Sequence, residues 1–160
     1  MTPLVGPAAW DPDAAGPSEA GIDAIEPARI AALAARWGER FLGRVFTPAE
    51  RAACAGRPAS LAARFAAKEA VAKALGTGLG PVAWREIEIG ANSRGKPVLI
   101  LHGAAAARAA ALGLRHWSVS LTHLTGLALA VVVATKGDEP SAVSHQPEGA
   151  TTPRDIASER

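Results

Sequence analysis

The stretch RFAAKEAVAKALGTG, residues 64–78, predicts a long helix whose charged residues lie where burial is expected. At 3.6 residues per turn, one side of this helix is an apolar arc of about 120°. The arc consists of Leu61, Phe65, Val71, Ala72 and Leu75. Arg64 and Lys68 point into the arc, Glu69 and Lys73 lie at its edge, and the opposite side carries only alanine. Buried charges need partners, so this helix predicts paired or ligand-binding charges inside the protein.

The composition predicts one domain of ordinary size in a reducing compartment. The chain has 160 residues, 49% of them hydrophobic, which suffices for a core. It has neither an apolar run near the ~18 residues of a membrane span nor a secretory signal at its N-terminus. Cys54 is the only cysteine, so no internal disulfide is possible and we expect a cytoplasmic protein. The net charge of +2, without a basic cluster, argues against a nucleic-acid partner.

Composition also divides the chain into a folded unit and two extensions. Residues 1–17 are rich in proline and follow neither hydrophobic period, which is typical of disorder. Residues 136–160, which include His145, are rich in Pro, Ser, Thr, Glu and Gly and lead to the same prediction. We therefore expect one folded domain over residues 18–135 between a disordered N-terminal extension and a disordered C-terminal tail.

Proline, glycine and capping residues mark the first helices. A short strand is predicted to end in GIDAIE, and Pro27 suits the first turn of a helix that runs to Trp37 and stops at Gly38. The segment TPAE at 47–50 is a capping box with proline at the first helical position. Three of the early boundaries are thus fixed by local chemistry.

The long helix and the later strands complete the predicted fold. Ser60 is expected to cap a helix over residues 61–75, which Gly76 ends. The later segments are the hairpin strands EIEIG and KPVLIL, the helix GAAAARAAALG, and the strands HWSVSL and LALAVVVA. Helices come first and strands later, which favours an α+β fold with an antiparallel sheet.

Glu69 admits two interpretations. It can pair with Lys73 four residues on, an ion pair worth about 0.3–0.5 kcal/mol when exposed. It can also be a ligand of a hard cation, with Lys73 neutralising an anion nearby. Mg²⁺ typically binds one or two carboxylates together with substrate phosphates, so the second interpretation needs another carboxylate.

The segment GIDAIE at 21–26 supplies such a carboxylate. Strand alternation puts Asp23 and Ile25 on one face, where an acid is costly unless it is paired or bound to metal. Asp23 is therefore either salt-bridged to an arginine, Arg29 or Arg64, or a metal ligand. The spacing alone does not choose between them.

Two further segments are candidates for phosphate contacts. The GTG segment at 76–78 follows the long helix, and glycine allows close approach of the backbone to a phosphate; an ordinary helix stop is the alternative. His123 ends the segment VSLTH and is either a hydrogen-bonded structural residue, or a phosphate contact or proton carrier. Neither a nucleophile–base pattern nor a zinc spacing stands out.

In their order along the chain, these segments resemble a known family. GIDAIEPARI, RVFTPAE, RFAAKEAVAKALGTG, EIEI with GKPVLILHG, and VSLTH with ALAVVVA are similar to the holo-acyl-carrier-protein synthases, the short trimeric class of 4′-phosphopantetheinyl transferases. The resemblance covers residues 20–134 and rests mainly on F-x-x-K-E-A-x-x-K with an upstream G-x-D.

The resemblance implies a fold, a reaction and partners. The implied fold packs a long helix on an antiparallel sheet, and the implied assembly is a homotrimer whose site lies across a subunit interface. The implied reaction moves 4′-phosphopantetheine from coenzyme A to a serine of an apo acyl carrier protein and leaves adenosine 3′,5′-bisphosphate, with Mg²⁺ as cofactor. The carrier belongs to fatty-acid or polyketide synthesis. A non-catalytic coenzyme A or nucleotide-binding module is the alternative.

Roles at the reacting centre follow from the same resemblance. Asp23 and Glu69 match the Mg²⁺ ligands of the family. Lys73 matches a lysine that meets the phosphate region and can protonate the leaving group. Either Glu69 or a metal-bound water takes the serine proton.

Roles away from the reacting centre follow in the same way. Arg64 and His123 match positions near the nucleotide end of coenzyme A, and Gly76 and Gly78 match a backbone loop close to it. The positions that resemble basic residues facing the acidic recognition helix of the carrier protein are Arg29 and Arg44.

Overall fold

The computed structural model of the chain describes residues 16–137. Most of the predicted extension 1–17, most of the predicted tail 136–160, and His145 lie outside these residues. Within residues 16–137 the chain forms five strands, five α-helices and one short 3₁₀ turn. In chain order they are β1 (Ser18–Ile25), α1 (Pro27–Trp37), α2 (Glu39–Val45), α3 (Pro48–Cys54), α4 (Pro58–Ala74), the 3₁₀ turn Trp84–Glu86, β2 (Ile87–Ala91), β3 (Pro97–Leu101), α5 (Gly103–Ala111), β4 (Leu114–His123) and β5 (Ala128–Lys136).

The strands form a three-stranded antiparallel sheet in the order β1–β5–β4 and a separate antiparallel hairpin of β2 and β3. In the larger sheet Asp23 lies opposite Ala130, and His123 lies opposite Ala128 on the other side of β5. Asp23 and His123 therefore lie near the same end of the sheet and on the same face. The predicted α+β fold with an antiparallel sheet is confirmed.

Helix α4 packs on one face of the three-stranded sheet and forms the centre of the core. Ala66, Ala67 and Ala70 are fully buried, so the alanine side of the helix is a close-packed surface. The buried sheet face is also built from small residues, because Ala128, Ala130 and Ala134 of β5 are buried with them. Although α4 is 17 residues long, no helix within residues 16–137 is both long and apolar enough to cross a membrane.

Strand β1 comes so close to α4 that position 21 requires glycine. A Cβ at Gly21 would overlap the backbone carbonyl oxygen of Ala70. Glycine permits such an approach because it has no side chain. The glycine of the G-x-D motif thus lets the helix reach the strand that carries Asp23.

The predicted start and end of α1 and the predicted start of α3 are confirmed. Pro27 is the first residue of α1, and Gly38 caps its C-terminal end with a bond to the carbonyl of Ala34. Both bonds of the capping box at α3 form: the Glu50 amide donates to Thr47 Oγ1 at 3.2 Å, and the Thr47 amide donates to Glu50 Oε2 at 2.8 Å.

The predicted start of the long helix is wrong by three residues, whereas its predicted end agrees with the structure to within one residue. Helix α4 begins at Pro58 after Arg57, so Ser60 lies inside the first turn and does not cap it. Proline is well suited to a first helical position because its φ is already helical and no amide hydrogen is needed there. The helix ends at Ala74, and Leu75 is its C-cap.

The described chain enters and leaves the sheet at one place. The Lys136 amide donates to the Pro17 carbonyl at 2.9 Å, beyond the Ser18–Thr135 pair at the end of β1 and β5. This end of the sheet is opposite the end that carries Asp23 and His123.

Candidate active site

Lys73 joins helix α4 to the acid of the GIDAIE segment. Its Nζ donates to Asp23 Oδ1 at 2.9 Å and to the backbone carbonyl oxygen of Ile22 at 2.8 Å. The Asp23 side chain is 20% exposed and that of Lys73 is 52% exposed. Because an ammonium group has three donor hydrogens, Lys73 retains one for a group that binds from solvent.

This ion pair differs from the pairs that the sequence suggested. Lys73 does not pair with Glu69 along the helix, and Asp23 does not pair with Arg29 or Arg64; Lys73 and Asp23 pair with each other. The physical reason is the close contact of α4 with β1, which places the Lys73 ammonium nearer to Asp23 than to Glu69 on its own helix.

Glu69 is the second acid of the site. It is partly buried, and its carboxylate forms no hydrogen bond or ion pair with another residue of 16–137. Burial raises the pKa of the Glu69 carboxyl, the nearby Asp23 carboxylate raises it further, and Lys73 opposes both. The two acids therefore repel each other, which is the situation that a bound cation relieves.

Asp23 and Glu69 suit a hard divalent cation. Both offer carboxylate oxygens, the ligand type that Mg²⁺ prefers. No group of three or more His, Cys, Asp or Glu residues within 16–137 could hold a metal ion. A site with two protein carboxylates matches the usual Mg²⁺ arrangement, in which substrate phosphates supply further oxygens.

The GTG segment stops α4, as one of its two interpretations states. Gly76 and Gly78 have φ of 68° and 62°, a conformation that glycine adopts without strain. The Gly76 amide donates to the Lys73 carbonyl at 3.0 Å, and the Gly78 amide donates to the Ala72 carbonyl at 3.2 Å. Both amides are used to cap the helix, so they are not free to bind a phosphate. What the two glycines can provide is space for a phosphate, because they have no side chains.

His123 is exposed at the end of β4, and its ring makes no hydrogen bond with the residues that the structure describes. The hydrogen-bonded structural role is therefore not seen in this chain. His123 lies two strands from Asp23, about 10 Å at the usual strand spacing. It is available to a ligand but stands apart from Lys73 within one chain.

Arg64 is anchored on the hairpin. Its Nε donates to the Ile89 carbonyl at 3.2 Å, and Nη1 lies 3.5 Å from the Ser60 carbonyl. The side chain is partly exposed. Arg64 thus faces β2, whereas Lys73 on the same helix faces β1.

An open cavity of about 480 Å³ adjoins Glu69. Trp84 forms part of its wall and packs against Phe65 with 4.5 Å between ring centroids. Arg44 is at the cavity as well. The remaining lining residues are Leu79, Gly80, Val82 and Ala83.

A second groove, of about 320 Å³, separates α1 from α2. It is lined by Leu33, Trp37, Arg40, Phe41 and Arg44. Arg44 therefore borders both this groove and the cavity beside Glu69. Arg29, also on α1, is exposed and has no side-chain partner among the described residues.

Sequence reasoning missed the buried partner of Lys68. Its Nζ donates to Glu50 Oε2 at 2.8 Å, to the Trp84 carbonyl at 3.1 Å, and to the Ile87 carbonyl. Burial lowers the pKa of Lys68, and Glu50 offsets part of that effect. The capping box explained Glu50 locally, but no sequence pattern joins residues 18 positions apart.

Comparison with known proteins shows which family and fold the chain resembles. A family profile described as the 4′-phosphopantetheinyl transferase superfamily matches residues 19–132. Over 120 residues the chain is 55% identical to a holo-[acyl-carrier-protein] synthase of Herpetosiphon aurantiacus, covering 71% of this chain and 94% of that one. The crystal structure of the Neisseria meningitidis holo-[acyl-carrier-protein] synthase is similar with a TM-score of 0.68 and 40% identity, covering 74% of this chain and 98% of that one. The Helicobacter pylori synthase in complex with coenzyme A gives a TM-score of 0.67 and 32% identity, with coverage of 72% and 99%.

Proposed function

The chain belongs to the holo-[acyl-carrier-protein] synthases of the 4′-phosphopantetheinyl transferase superfamily, and we propose that Asp23, Glu69 and Lys73 form its reacting centre. It transfers 4′-phosphopantetheine from coenzyme A to a serine of an apo acyl carrier protein and leaves adenosine 3′,5′-bisphosphate. One observation carries the proposed centre: the Lys73–Asp23 pair lies beside a partly buried carboxylate that has no partner of its own.

Asp23 and Glu69 would hold a Mg²⁺ ion. Their mutual repulsion and their oxygen ligands support this assignment. When bound, the ion would neutralise negative charge on the diphosphate of coenzyme A. Asp23 lies on β1 and Glu69 on α4, and the close contact at Gly21 holds these two elements together. The fold therefore fixes the relative positions of the two carboxylates, which would orient the diphosphate.

Lys73 would bind and stabilise the phosphoryl group. Two of its hydrogens are held by Asp23 and the Ile22 carbonyl, so the ammonium group has a fixed direction and one free donor. Charge develops on the transferred phosphoryl group and on the leaving oxygen. A fixed ammonium group can stabilise this charge, and it can protonate the leaving oxygen of adenosine 3′,5′-bisphosphate.

Either Glu69 or a water held by the Mg²⁺ ion would accept the proton of the carrier serine. A bound cation lowers the pKa of a neighbouring carboxylate or water, so the raised pKa of Glu69 belongs to the metal-free protein. The open cavity beside Glu69 gives a substrate access to the carboxylate.

The nucleotide end of coenzyme A would contact Arg64 and His123, with Gly76 and Gly78 leaving space beside the diphosphate. Arg64 faces β2, and His123 stands two strands from Asp23. One ligand reaches both regions most simply if it lies between two subunits. This supports the homotrimer with a shared site.

The outer face of the three-stranded sheet would be the contact between subunits. Ile22 is 56% exposed there, and its β5 neighbour Val131 and the next outward residue Val133 are exposed too. A groove of about 410 Å³ continues from Val131 and Val133 to Lys96 and Pro97 at the start of β3. Contiguous exposed apolar residues of this kind mark interaction surfaces, and a second copy of the chain is the occupant that the shared site requires.

The carrier protein would dock on α1 and α2. Arg29, Arg40 and Arg44 supply positive charge, and the groove between the helices supplies an apolar floor. An acidic helix of the carrier matches both features, and Arg44 borders the cavity beside Glu69. We place the reaction in the cytoplasm, which agrees with the single, buried thiol of Cys54.

Incubation with coenzyme A, Mg²⁺ and an apo acyl carrier protein tests this proposal. Intact mass spectrometry should show the carrier gaining one phosphopantetheine, and chelation with EDTA should stop the gain until Mg²⁺ is restored. Transfer at an undiminished rate in EDTA would show that Asp23 and Glu69 do not act as ligands of a required metal ion. Calorimetric titration of Mn²⁺ into wild-type protein and Glu69→Gln, each with adenosine 3′,5′-bisphosphate, tests the metal site without turnover.

A further inference from the structure

The ion pair between Glu50 and Lys68 is the most deeply buried pair of charged side chains in the part of the chain that the structure describes. Their side chains are 1% and 0% exposed. Every polar atom of the pair has a partner: Glu50 Oε1 accepts from the Ile89 amide at 2.9 Å, and Oε2 accepts from the Thr47 amide and from Lys68. The pair therefore joins α3, α4 and β2 at one point.

Lys68 also fixes the segment that leads into β2. Two of its three hydrogens go to the backbone carbonyls of Trp84 and Ile87, and the third goes to Glu50. The ring of Trp84 packs on Phe65 and forms a wall of the cavity beside Glu69. Movement of Lys68 would move that wall.

The same lysine fixes the rotation of α4. Adjacent helical residues point about 100° apart, so the direction of Lys68 toward β2 determines how Glu69 is presented to the cavity that Trp84 lines. Arg64, one turn earlier, is bound to the Ile89 carbonyl on the same side. Two charged side chains thus hold one side of α4 on the hairpin while Lys73 holds the other side on β1.

Stability alone is a weak reason for such a pair. Removing two charges from water costs about as much as their attraction returns, and apolar replacements are often equally stable. A pair with a complete set of hydrogen bonds instead specifies one geometry, and here that geometry directs a residue of the reacting centre.

We propose that Glu50 and Lys68 are positioning residues for phosphopantetheine transfer. They set the direction of Glu69 and the wall of the adjoining cavity without touching substrate. The inference rests on the proposed function of Glu69. Glu50→Gln should lower kcat about 100-fold, the loss expected for a displacement near 1 Å at a reacting centre, while the KM for coenzyme A stays within twofold.

Two controls separate positioning from stability. Leu114→Ala removes a buried side chain at the remote end of β4 and lowers stability without touching the ion pair. Arg51→Gln breaks an exposed ion pair between α3 and α2, in which Arg51 binds Glu39 at 2.6 Å. Both controls should keep kcat within twofold at a temperature where circular dichroism shows all variants folded.

Amide hydrogen exchange of the metal-free proteins gives a second readout. Exchange at Trp84 and Ile87 should be faster in Glu50→Gln than in Leu114→Ala when the two have equal melting temperatures. If Glu50→Gln does not fold, the double variant Glu50→Leu with Lys68→Met removes both charges and should fold, with the same loss of kcat.

The outcomes are distinct. Loss of kcat in Glu50→Gln but not in the controls, together with faster exchange at Trp84, supports the proposal. Native kcat in Glu50→Gln, or an equal loss in Leu114→Ala at matched stability, rejects it. If wild-type protein transfers nothing in the same assay, the proposed function fails, and the exchange measurement still reports on the ion pair.

Discussion

The ammonium of Lys73 on α4 lies 2.9 Å from the carboxylate of Asp23 on β1, 50 positions earlier in the chain. This contact places a fixed positive charge beside Asp23 and Glu69, the two carboxylates that we propose would hold Mg²⁺. It also accounts for the charges at the edge of the apolar face: Lys73 reaches the strand that begins the domain, and the carboxylate of Glu69 is close enough to that of Asp23 to be repelled by it.

Replacing Lys73 should stop catalysis without unfolding the protein. We expect Lys73→Met to lower kcat/KM about 10²–10³-fold, the usual loss when one charge-stabilising donor is removed. The melting temperature should hardly change, because half-exposed ion pairs contribute about 1 kcal/mol or less. Initial rates by intact mass spectrometry check this, with Lys136→Met at the remote end of β5 as control. A native rate in Lys73→Met would exclude a role for the ammonium.

Glu69 should destabilise the metal-free protein at neutral pH. Because the pKa of Glu69 is raised in the folded state, the unfolded state loses this proton first as pH rises, so stability falls above the ordinary glutamate pKa of about 4.3. The penalty grows up to the raised pKa and is then constant. Glu69→Gln should therefore melt higher than wild type at pH 7 in EDTA and equally below about pH 4.

Thermal unfolding across pH measures this difference. The exposed residue Glu39 supplies the control Glu39→Gln, which should show no gain at pH 7. A lower melting temperature for Glu69→Gln at pH 7 would mean that the ionised carboxylate has a stabilising partner, contrary to the structure. Transfer by Glu69→Gln should be lost under all conditions.

A charge on the outer sheet face should dissociate the proposed trimer. Val133 and Val98 are 41% and 39% exposed, but only Val133 lies on the proposed contact. We expect Val133→Glu to sediment as a smaller species and to lose activity, because the shared site is opened, while Val98→Glu stays trimeric. Sedimentation velocity decides it, and a stable, active monomer of the wild-type protein would rule out the shared site.

Reversing the charge of Arg29 should affect one substrate only. Arg29→Glu should raise the KM for the carrier protein severalfold and leave the KM for coenzyme A unchanged. The effect should shrink at high salt, since rim charges act mainly on association and are screened. Kinetics with each substrate varied in turn, at low and high salt, test this against Lys136→Glu. Equal losses for both substrates would instead assign Arg29 to the coenzyme site or to the fold.

Local signals in the sequence were sufficient for most elements of the fold. Pro27 and Gly38 delimit α1, and the capping box at Thr47 opens α3, because these residues act through their nearest neighbours. The start of α4 was missed because Ser60 is a good capping residue, yet Pro58 upstream already has the helical φ. When two residues such as Pro58 and Ser60 both favour the start of a helix, the sequence alone does not show at which of them the helix begins.

The residues proposed for the site were chosen through their motif, and the structure brings Asp23, Glu69 and Lys73 together, but the sequence did not predict how they pair. Nothing in the order of residues shows that Lys73 meets Asp23 rather than Glu69, since this depends on how closely α4 packs on β1. The Glu50–Lys68 pair was invisible for the same reason. Long-range ion pairs are consequences of packing, and packing is set here by Gly21 and the buried alanines.

The hydrogen bond between the Lys136 amide and the Pro17 carbonyl makes the described chain nearly a closed ring. In a chain trimmed to residues 16–137, a short linker could join the two ends there, and new termini could be opened at the exposed turn between α3 and α4, at residues 55–57. Circular permutation is tolerated where ends are adjacent and cuts fall in surface turns. The site on β1 and α4 depends on their contact and not on which of them is made first, so a permuted chain should keep it.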